Sequence, residues 1–135
     1  MMSLKLSPIT EGFGAYASGI QLSNNLTSEN IAAIEAGMDK YSVLVWRDSV
    51  LEDDQQIRLA ENFGKLEISL LSKVRGKGGP DNKSLVPISN VGDNGEILDY
   101  DGRRLGSQIA NQFWHSDSSF SKSVAKYSIL SARKI

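Results

Sequence analysis

The residues best suited to chemistry in this chain are His115 and Asp117, which stand two positions apart. On an extended backbone, residues i and i+2 point to the same face, so an imidazole nitrogen and a carboxylate oxygen can converge on one cation. These are two of the three donors in the 2-His-1-carboxylate set that favours Fe(II). The 135 residues contain one histidine, so no second imidazole can come from them.

The spacing alone leaves another interpretation open. A histidine two residues before an aspartate arises often by chance, and a surface histidine hydrogen-bonded to a nearby carboxylate has the same pattern. The surrounding residues and the elements that position them must therefore decide between the two.

Composition excludes several functional classes. A chain of 135 residues fits one domain, and a net charge of −1 from 15 basic and 16 acidic residues gives no polybasic surface for nucleic acid or anionic lipid. The absence of cysteine excludes disulfides, thiolate metal sites and cysteine nucleophiles. No apolar run approaches the ~18 residues of a membrane span, and the N-terminus has no signal-peptide core. We expect a cytoplasmic protein with no nucleic-acid or membrane partner.

The first half of the chain alternates between strand and helix patterns. The first twenty residues are short apolar pieces broken by glycines and predict strand and turn. Thr27 is a suitable N-cap for a helix whose apolar residues recur to Tyr41, and residues 42–46 predict a buried strand. A second helix is predicted from Glu52, with an inner stripe of Ile57, Ala60 and Phe63 and with Gly64 as its C′ residue.

The second half predicts loop and strands. Residues 72–83 are rich in glycine and basic residues and predict a loop, and residues 87–98 predict a hairpin around Asp93-Asn94-Gly95. Residues 125–132 predict a last strand. The order of elements indicates a mixed α+β fold with a mainly antiparallel sheet.

Several segments resemble one enzyme family. Residues 111–120 (NQFWHSDSSF) resemble the iron-binding segment of the taurine dioxygenase/TfdA family of Fe(II)/2-oxoglutarate-dependent dioxygenases, in particular its phenoxyalkanoate (2,4-D) branch. Residues 42–48 and 60–67 resemble the first core strand and the following helix of that family. Residues 88–91 and 125–132 resemble the strands on either side of the metal segment.

The resemblance implies a fold, cofactors and ligands. It implies a double-stranded β-helix (jelly-roll, cupin-like), of which residues 1–135 are the N-terminal portion of a single domain, truncated after the His-x-Asp strand region. His115 and Asp117 become iron ligands, with Fe(II) as the metal and 2-oxoglutarate as co-substrate. The implied reaction hydroxylates a small anionic substrate, a carboxylate or a sulfonate.

The resemblance also suggests roles for other residues. Asn90 matches a strand position that faces substrate or co-substrate, although it can equally satisfy a sheet end. Lys73 in the predicted loop is a candidate for attracting an anionic substrate, and a solvated loop is the alternative. Trp114 and Phe120 are expected to pack in the core or to shape the pocket. Ser118 and its neighbour Ser119 could form hydrogen bonds around the metal ligands or be turn residues, and we favour turn residues.

The chain departs from the family pattern in the expected second half. The distal histidine and the arginine that would bind the far carboxylate of 2-oxoglutarate have no match among these residues. We therefore expect a fragment that is inactive by itself, and its status as an enzyme stays open. The alternatives are a non-catalytic remnant and a cupin-like metal-binding module. Unpaired strand edges and a net charge near zero also predict homo-oligomers or aggregates.

Overall fold

The structure, a computed structural model, describes residues 3–47, 49–68, 84–88, 95–97, 112–119 and 121–133. The chain divides into two compact units. The first comprises Met1–Leu66 with Ile129–Ile135, and the second comprises Glu67–Ser128. All the helices and strands in the described residues belong to the first unit. The predicted loop at 72–83 and most of the predicted hairpin at 87–98 lie outside the described residues.

The broken apolar pattern predicted strand and turn, and the first unit begins with an antiparallel hairpin. Strand β1 (Lys5–Thr10) pairs with strand β2 (Phe13–Ser18) in a register that ends at Thr10 opposite Phe13. Gly12 adopts φ +75 in the intervening turn, a conformation that glycine accepts without steric cost. The Thr10 hydroxyl donates to the Phe13 carbonyl at 2.7 Å and closes the turn.

The third strand runs parallel to the second. Strand β3 (Leu44–Val45) lies beside β2, and the Ala15 N–H donates to the Val43 carbonyl at 2.9 Å. The strand predicted over residues 42–46 is therefore shorter than expected, because Ser42 adopts a left-handed conformation, φ +63, at the end of the preceding helix. A helix connects β2 to β3, and such crossovers join parallel strands. Among the described residues the sheet has three strands, with one antiparallel pair and one parallel pair.

The predicted first helix is confirmed. Helix α1 (Ser28–Tyr41) begins after Thr27, whose side chain accepts a hydrogen bond from the Asn30 N–H at 3.3 Å. It ends at Ser42, whose N–H donates to the Met38 carbonyl at 2.7 Å. Both ends therefore satisfy backbone groups that a helix leaves without internal partners.

Helix α1 packs closely on the sheet at Gly37. A Cβ atom there would lie 3.0 Å from Leu6 Cδ1 and 3.1 Å from Leu44 Cδ1. These contacts are tighter than ordinary van der Waals packing. The absence of a side chain at Gly37 therefore lets the helix approach β1 and β3, while Ile34 and Tyr41 bury their side chains on the same helix.

The second helix is also confirmed, with its start where the acidic residues predicted it. Helix α2 (Asp53–Glu61) follows Glu52, whose N–H donates to the Gln55 side chain at 2.9 Å. Asp54 and Arg58 form an i,i+4 ion pair. The hydrogen bond from Arg58 lowers the pKa of the Asp54 carboxyl, but the pair is exposed and contributes little to stability.

The end of α2 differs from the prediction. Gly64 is not the C′ residue, because the helix ends at Glu61 with Asn62 as its cap. The Asn62 side-chain amide donates to the carbonyls of Arg58 at 2.7 Å and Leu59 at 3.2 Å. A side chain thus satisfies the last carbonyls that a left-handed glycine would otherwise have capped.

A small hydrophobic core unites the two helices and the sheet. Leu59 is the buried residue of α2, 4% exposed, whereas the predicted stripe of Ile57, Ala60 and Phe63 is only half-buried. The buried cluster consists of Ile20, Leu22, Ile34, Leu51 and Leu59. Partly buried side chains that pack against it are Leu4, Leu26, Met38, Leu44, Trp46, Phe63 and Ile129.

The strand predicted over residues 125–132 is not present. Residues 127–131 alternate between half-buried and exposed positions, as the residues of a strand on a sheet surface would. However, the Ile129 carbonyl accepts from the Gln56 side-chain amide at 3.0 Å, and Arg133 pairs with Asp53. Side chains of α2 thus hold this segment in place of a neighbouring strand. The described residues show a three-stranded sheet and two helices, and the wider jelly-roll stays a prediction.

Neither helix among the described residues is long and apolar enough to cross a membrane.

Replacing Leu59 with alanine tests the core. Because Leu59 is 4% exposed, Leu59→Ala should lower the free energy of unfolding by about 2–5 kcal/mol through lost burial and a residual cavity. The matched control is Leu130→Ala, in which an 81% exposed leucine is removed at a cost of roughly 0.5 kcal/mol or less. Urea denaturation measures both, and equal midpoints would contradict the assigned core.

Large apolar side chains on the surface support the expected self-association. In the first unit, Ile9, Phe13 and Val50 are 45%, 58% and 60% exposed. We expect the isolated chain to form oligomers whose size rises with protein concentration, and Phe13→Ser to reduce that association. Sedimentation velocity across a concentration series measures it. A monomer at every concentration would contradict the expectation.

Candidate metal centre

The structure brings the side chains of His115 and Asp117 together in the second unit. His115 Nε2 lies 3.2 Å from Asp117 Oδ1, with 47% and 59% of the two side chains exposed. The local backbone is not the extended strand that motivated the pairing, because residues 117–119 form a turn. Convergence therefore follows from the turn and from the hydrogen bonds that hold each side chain.

The histidine ring is oriented by its own backbone. His115 Nδ1 lies 2.7 Å from the Phe113 carbonyl oxygen, which can only accept, so Nδ1 carries the proton of this hydrogen bond. Nε2 is then the nitrogen that faces Asp117. A neutral imidazole would direct a lone pair from Nε2 towards a carboxylate oxygen at 3.2 Å. Two acceptors at that distance repel one another unless a proton or a metal cation shares their charge.

The aspartate carboxylate is held from its other side. The Ser128 hydroxyl donates to Asp117 Oδ2 at 2.8 Å. The two carboxylate oxygens are thus distinguished, with Oδ2 engaged by Ser128 and Oδ1 directed at His115. An oriented nitrogen donor and an oriented oxygen donor fit the chemistry of a divalent transition metal such as Fe(II).

The turn after Asp117 is fastened to a second carboxylate. Ser118 adopts φ +53, and the Ser121 N–H donates to the Ser118 carbonyl at 2.9 Å. Glu67 accepts hydrogen bonds from the Ser118 hydroxyl at 2.7 Å and from the Ser121 hydroxyl at 3.4 Å. Ser118 and Ser119 are therefore turn residues, as predicted, and Ser118 also anchors the turn.

Sequence reasoning missed Glu67 and Ser128. Ser118 and Glu67 are 51 residues apart in the chain, and Ser128 and Asp117 are 11 apart. Pairings over such separations have no local periodicity. Residues 116–123 are rich in serine, and hydroxyls beside a metal-binding pattern can orient its ligands. That segment contains neither Ser128 nor Glu67, so it did not identify them.

One residue expected to shape a pocket beside the pair does not do so. Trp114 is fully exposed, so it neither packs in a core nor lines a cavity, contrary to both interpretations of this residue. Phe120, Lys73 and Asn90 lie outside the described residues, so their roles stay predictions.

Within the described part of the chain, no third His, Cys, Asp or Glu joins the pair to form a three-ligand cluster. Two cavities of the first unit are lined in part by Leu22 and Ser23, and neither includes His115 or Asp117.

The sequence matches known proteins along nearly its whole length. Residues 5–135 match the family described as taurine catabolism dioxygenase TauD, TfdA family. An alpha-ketoglutarate-dependent 2,4-dichlorophenoxyacetate dioxygenase from Cupriavidus pinatubonensis is 40% identical over 97% of this chain and 46% of its own length. An (S)-phenoxypropionate/alpha-ketoglutarate-dioxygenase from Delftia acidovorans is 27% identical over 98% of this chain and 43% of its own length. The chain thus spans less than half the length of these relatives.

A solved structure agrees with these matches. The crystal structure of AAD-2 in complex with Mn(II) and N-oxalylglycine superimposes with a TM-score of 0.72 and 33% identity, over 89% of this chain and 38% of that one. The resemblance seen in residues 111–120 is therefore confirmed by matches that extend far beyond that segment. The chain belongs to the taurine catabolism dioxygenase TauD/TfdA family.

Proposed function

We propose that this chain supplies two of the three protein ligands of an Fe(II)- and 2-oxoglutarate-dependent dioxygenase that hydroxylates a small anionic substrate. The observation that carries the proposal is the convergence of His115 Nε2 and Asp117 Oδ1 at 3.2 Å. The proposal is supported by the family to which the chain belongs, because the matched relatives are named as alpha-ketoglutarate-dependent dioxygenases. We also propose that residues 1–135 form the N-terminal portion of one such domain in the cytoplasm.

The residues of this chain prepare the site for a cation. The Phe113 carbonyl keeps the proton of His115 on Nδ1 and so presents Nε2 as the metal donor. Asp117 adds an anionic oxygen, which lowers the net charge of a bound divalent ion. When bound, iron with 2-oxoglutarate and O2 would supply the oxidation of a substrate C–H bond: one oxygen atom would enter the substrate as a hydroxyl, and the other would enter succinate as 2-oxoglutarate loses CO2. Because the side chains of His115 and Asp117 are exposed, 2-oxoglutarate and the substrate would have space beside these two ligands.

The third protein ligand is proposed to lie outside these residues. The 135 residues contain His115 and no other histidine, so a 2-His-1-carboxylate set needs an imidazole from a further segment or another chain. The arginine that pairs with 2-oxoglutarate in the family is proposed to come from the same source. Arg133 is not proposed as its substitute, because it does not match the family arginine; it pairs with Asp53 on helix α2.

The substrate is proposed to be a small carboxylate or sulfonate. Matched relatives are named for phenoxyalkanoates and for sulfate esters, all of which are anions. Lys73 is the proposed attracting cation, and Asn90 is a proposed contact for substrate or co-substrate. A cupin-like metal-binding module without redox chemistry would use the same His115 and Asp117 pair, and turnover distinguishes the two functions.

Metal binding by the isolated chain can be tested by supplying the missing imidazole in solution. We expect Co(II) to bind weakly to the untagged chain, and free imidazole to strengthen binding by occupying the third ligand position. Visible absorption of Co(II) measures the half-saturation concentration with and without imidazole. With one histidine and no cysteine in the chain, competing sites are few.

The matched controls for this titration are His115→Ala and Asp117→Asn. His115→Ala removes the nitrogen donor, and Asp117→Asn replaces the anionic oxygen donor with a weaker neutral one. Either change should weaken binding by at least the ~10–100-fold seen when supporting groups of metal ligands are lost. At every imidazole concentration the His115→Ala chain should bind Co(II) more weakly than the unmodified chain, because free imidazole must then supply two ligands instead of one. Equal titrations for all three chains would contradict a shared site at these residues.

Turnover is expected to be absent from the isolated chain, since two protein ligands and no arginine for the co-substrate leave the site incomplete. The measurement is succinate release with Fe(II), ascorbate, 2-oxoglutarate and a panel of phenoxyacetates and sulfonates. The expected rate equals that of His115→Ala. A higher rate in the unmodified chain would show that the missing groups are recruited from elsewhere, for example from a second copy, and would overturn the proposed incompleteness.

A further inference from the structure

The carboxylate of Asp117 has two oxygens in different environments. Oδ1 faces His115 Nε2 at 3.2 Å, and Oδ2 accepts the Ser128 hydroxyl at 2.8 Å. The side chain is 59% exposed, so packing contributes little to its orientation. A carboxylate on an exposed turn rotates readily about its terminal torsion, because that torsion has a broad energy profile. The Ser128 hydrogen bond is therefore the contact that selects one orientation.

We propose that Ser128 is a positioning residue for metal binding: its hydroxyl holds Asp117 Oδ2 so that Oδ1 and His115 Nε2 converge on one cation. The proposal rests on the proposed function and adds a residue to that site. Ser128 does not coordinate the metal. It acts through Asp117, as the Phe113 carbonyl acts through His115, so that each ligand has one fixed hydrogen-bond partner on the side away from the other.

Glu67 holds the turn after Asp117 and not the Asp117 side chain. Its carboxylate accepts from Ser118 and Ser121, which fixes the backbone of the turn that follows Asp117. Ser128, by contrast, bonds to the Asp117 carboxylate itself. Substitution of Glu67 should therefore disturb the turn as a whole, whereas substitution of Ser128 should disturb only the carboxylate orientation. For this reason Ser128 is the residue to test.

The test compares three variants of the full chain. Ser128→Ala removes the hydroxyl, Ser128→Thr retains it, and Ser123→Ala removes an exposed serine from the same segment as a matched control. The probe is Co(II) with a fixed concentration of imidazole. We expect Ser128→Ala to raise the half-saturation concentration by ~10–100-fold, the usual effect of losing a hydrogen bond to a metal ligand. Ser128→Thr and Ser123→Ala should stay close to the unmodified chain.

A second measurement needs no metal. The 13C chemical shift of the Asp117 carboxyl carbon reports its hydrogen bonding, and it should change in Ser128→Ala but not in Ser123→Ala. Unchanged shifts in both variants would overturn the proposal, as would a Co(II) titration of Ser128→Ala within about twofold of the unmodified chain. Thermal unfolding monitored by circular dichroism should be similar in all variants, since a purely structural role would lower stability.

The two measurements separate this proposal from the proposed function. If the unmodified chain binds no Co(II), the proposed function fails, and the metal-binding part of the Ser128 proposal fails with it. If the unmodified chain binds Co(II) and the Asp117 shift does not respond to Ser128→Ala, only the Ser128 proposal fails.

Discussion

The candidate site depends on one electrostatic constraint, the approach of a histidine nitrogen to a carboxylate oxygen at 3.2 Å. Because His115 donates Nδ1–H to a carbonyl, the nitrogen that faces Asp117 is an acceptor whenever the ring is neutral. Positive charge between the two atoms, from a proton or a cation, turns their repulsion into attraction. A metal cation shared by the two atoms is the proposed source of that charge. The other contacts of the second unit hold this arrangement, through Ser128 on the carboxylate and Glu67 on the turn.

The first unit has a different role, and its stability comes from ordinary sources. A βαβ crossover, a glycine that lets helix α1 approach the sheet, and a cluster of five buried apolar residues hold it together. Polar side chains of α2 fasten the C-terminal segment, with Gln56 bonded to the Ile129 carbonyl and Arg133 paired with Asp53. These contacts stabilise the first unit.

The local elements were predictable from sequence because their causes are local. The hairpin, both helices and their starts follow from glycine, capping and periodicity signals that span a few residues. Two errors have a common origin. Residues 125–132 have the alternation of a strand, and Gly64 has the identity of a helix cap, but Gln56 and Asn62 side chains satisfy the backbone groups instead. Which donor reaches a carbonyl depends on three-dimensional proximity, which short patterns do not encode.

At the site, the identities of His115 and Asp117 came from their spacing and from resemblance, and the family is now shown by matches over residues 5–135. Their metal-binding role stays a prediction. Ser128 and Glu67 could not be predicted, because hydrogen bonds between residues 11 and 51 positions apart depend on the folded path of the chain. The exposure of Trp114 was missed because an aromatic residue beside a candidate ligand has the same pattern whether it faces a core or solvent.

The central claim is that His115 and Asp117 bind one metal ion together. Electron spin-echo envelope modulation of Mn(II) bound to the untagged chain tests it most directly, because with one histidine in the chain any imidazole coupling identifies His115. The account predicts a coordinated 14N coupling that disappears in His115→Ala, and a 13C coupling from labelled aspartate that disappears in Asp117→Asn. A spectrum without nitrogen coupling, or one that the two substitutions leave unchanged, would contradict the account.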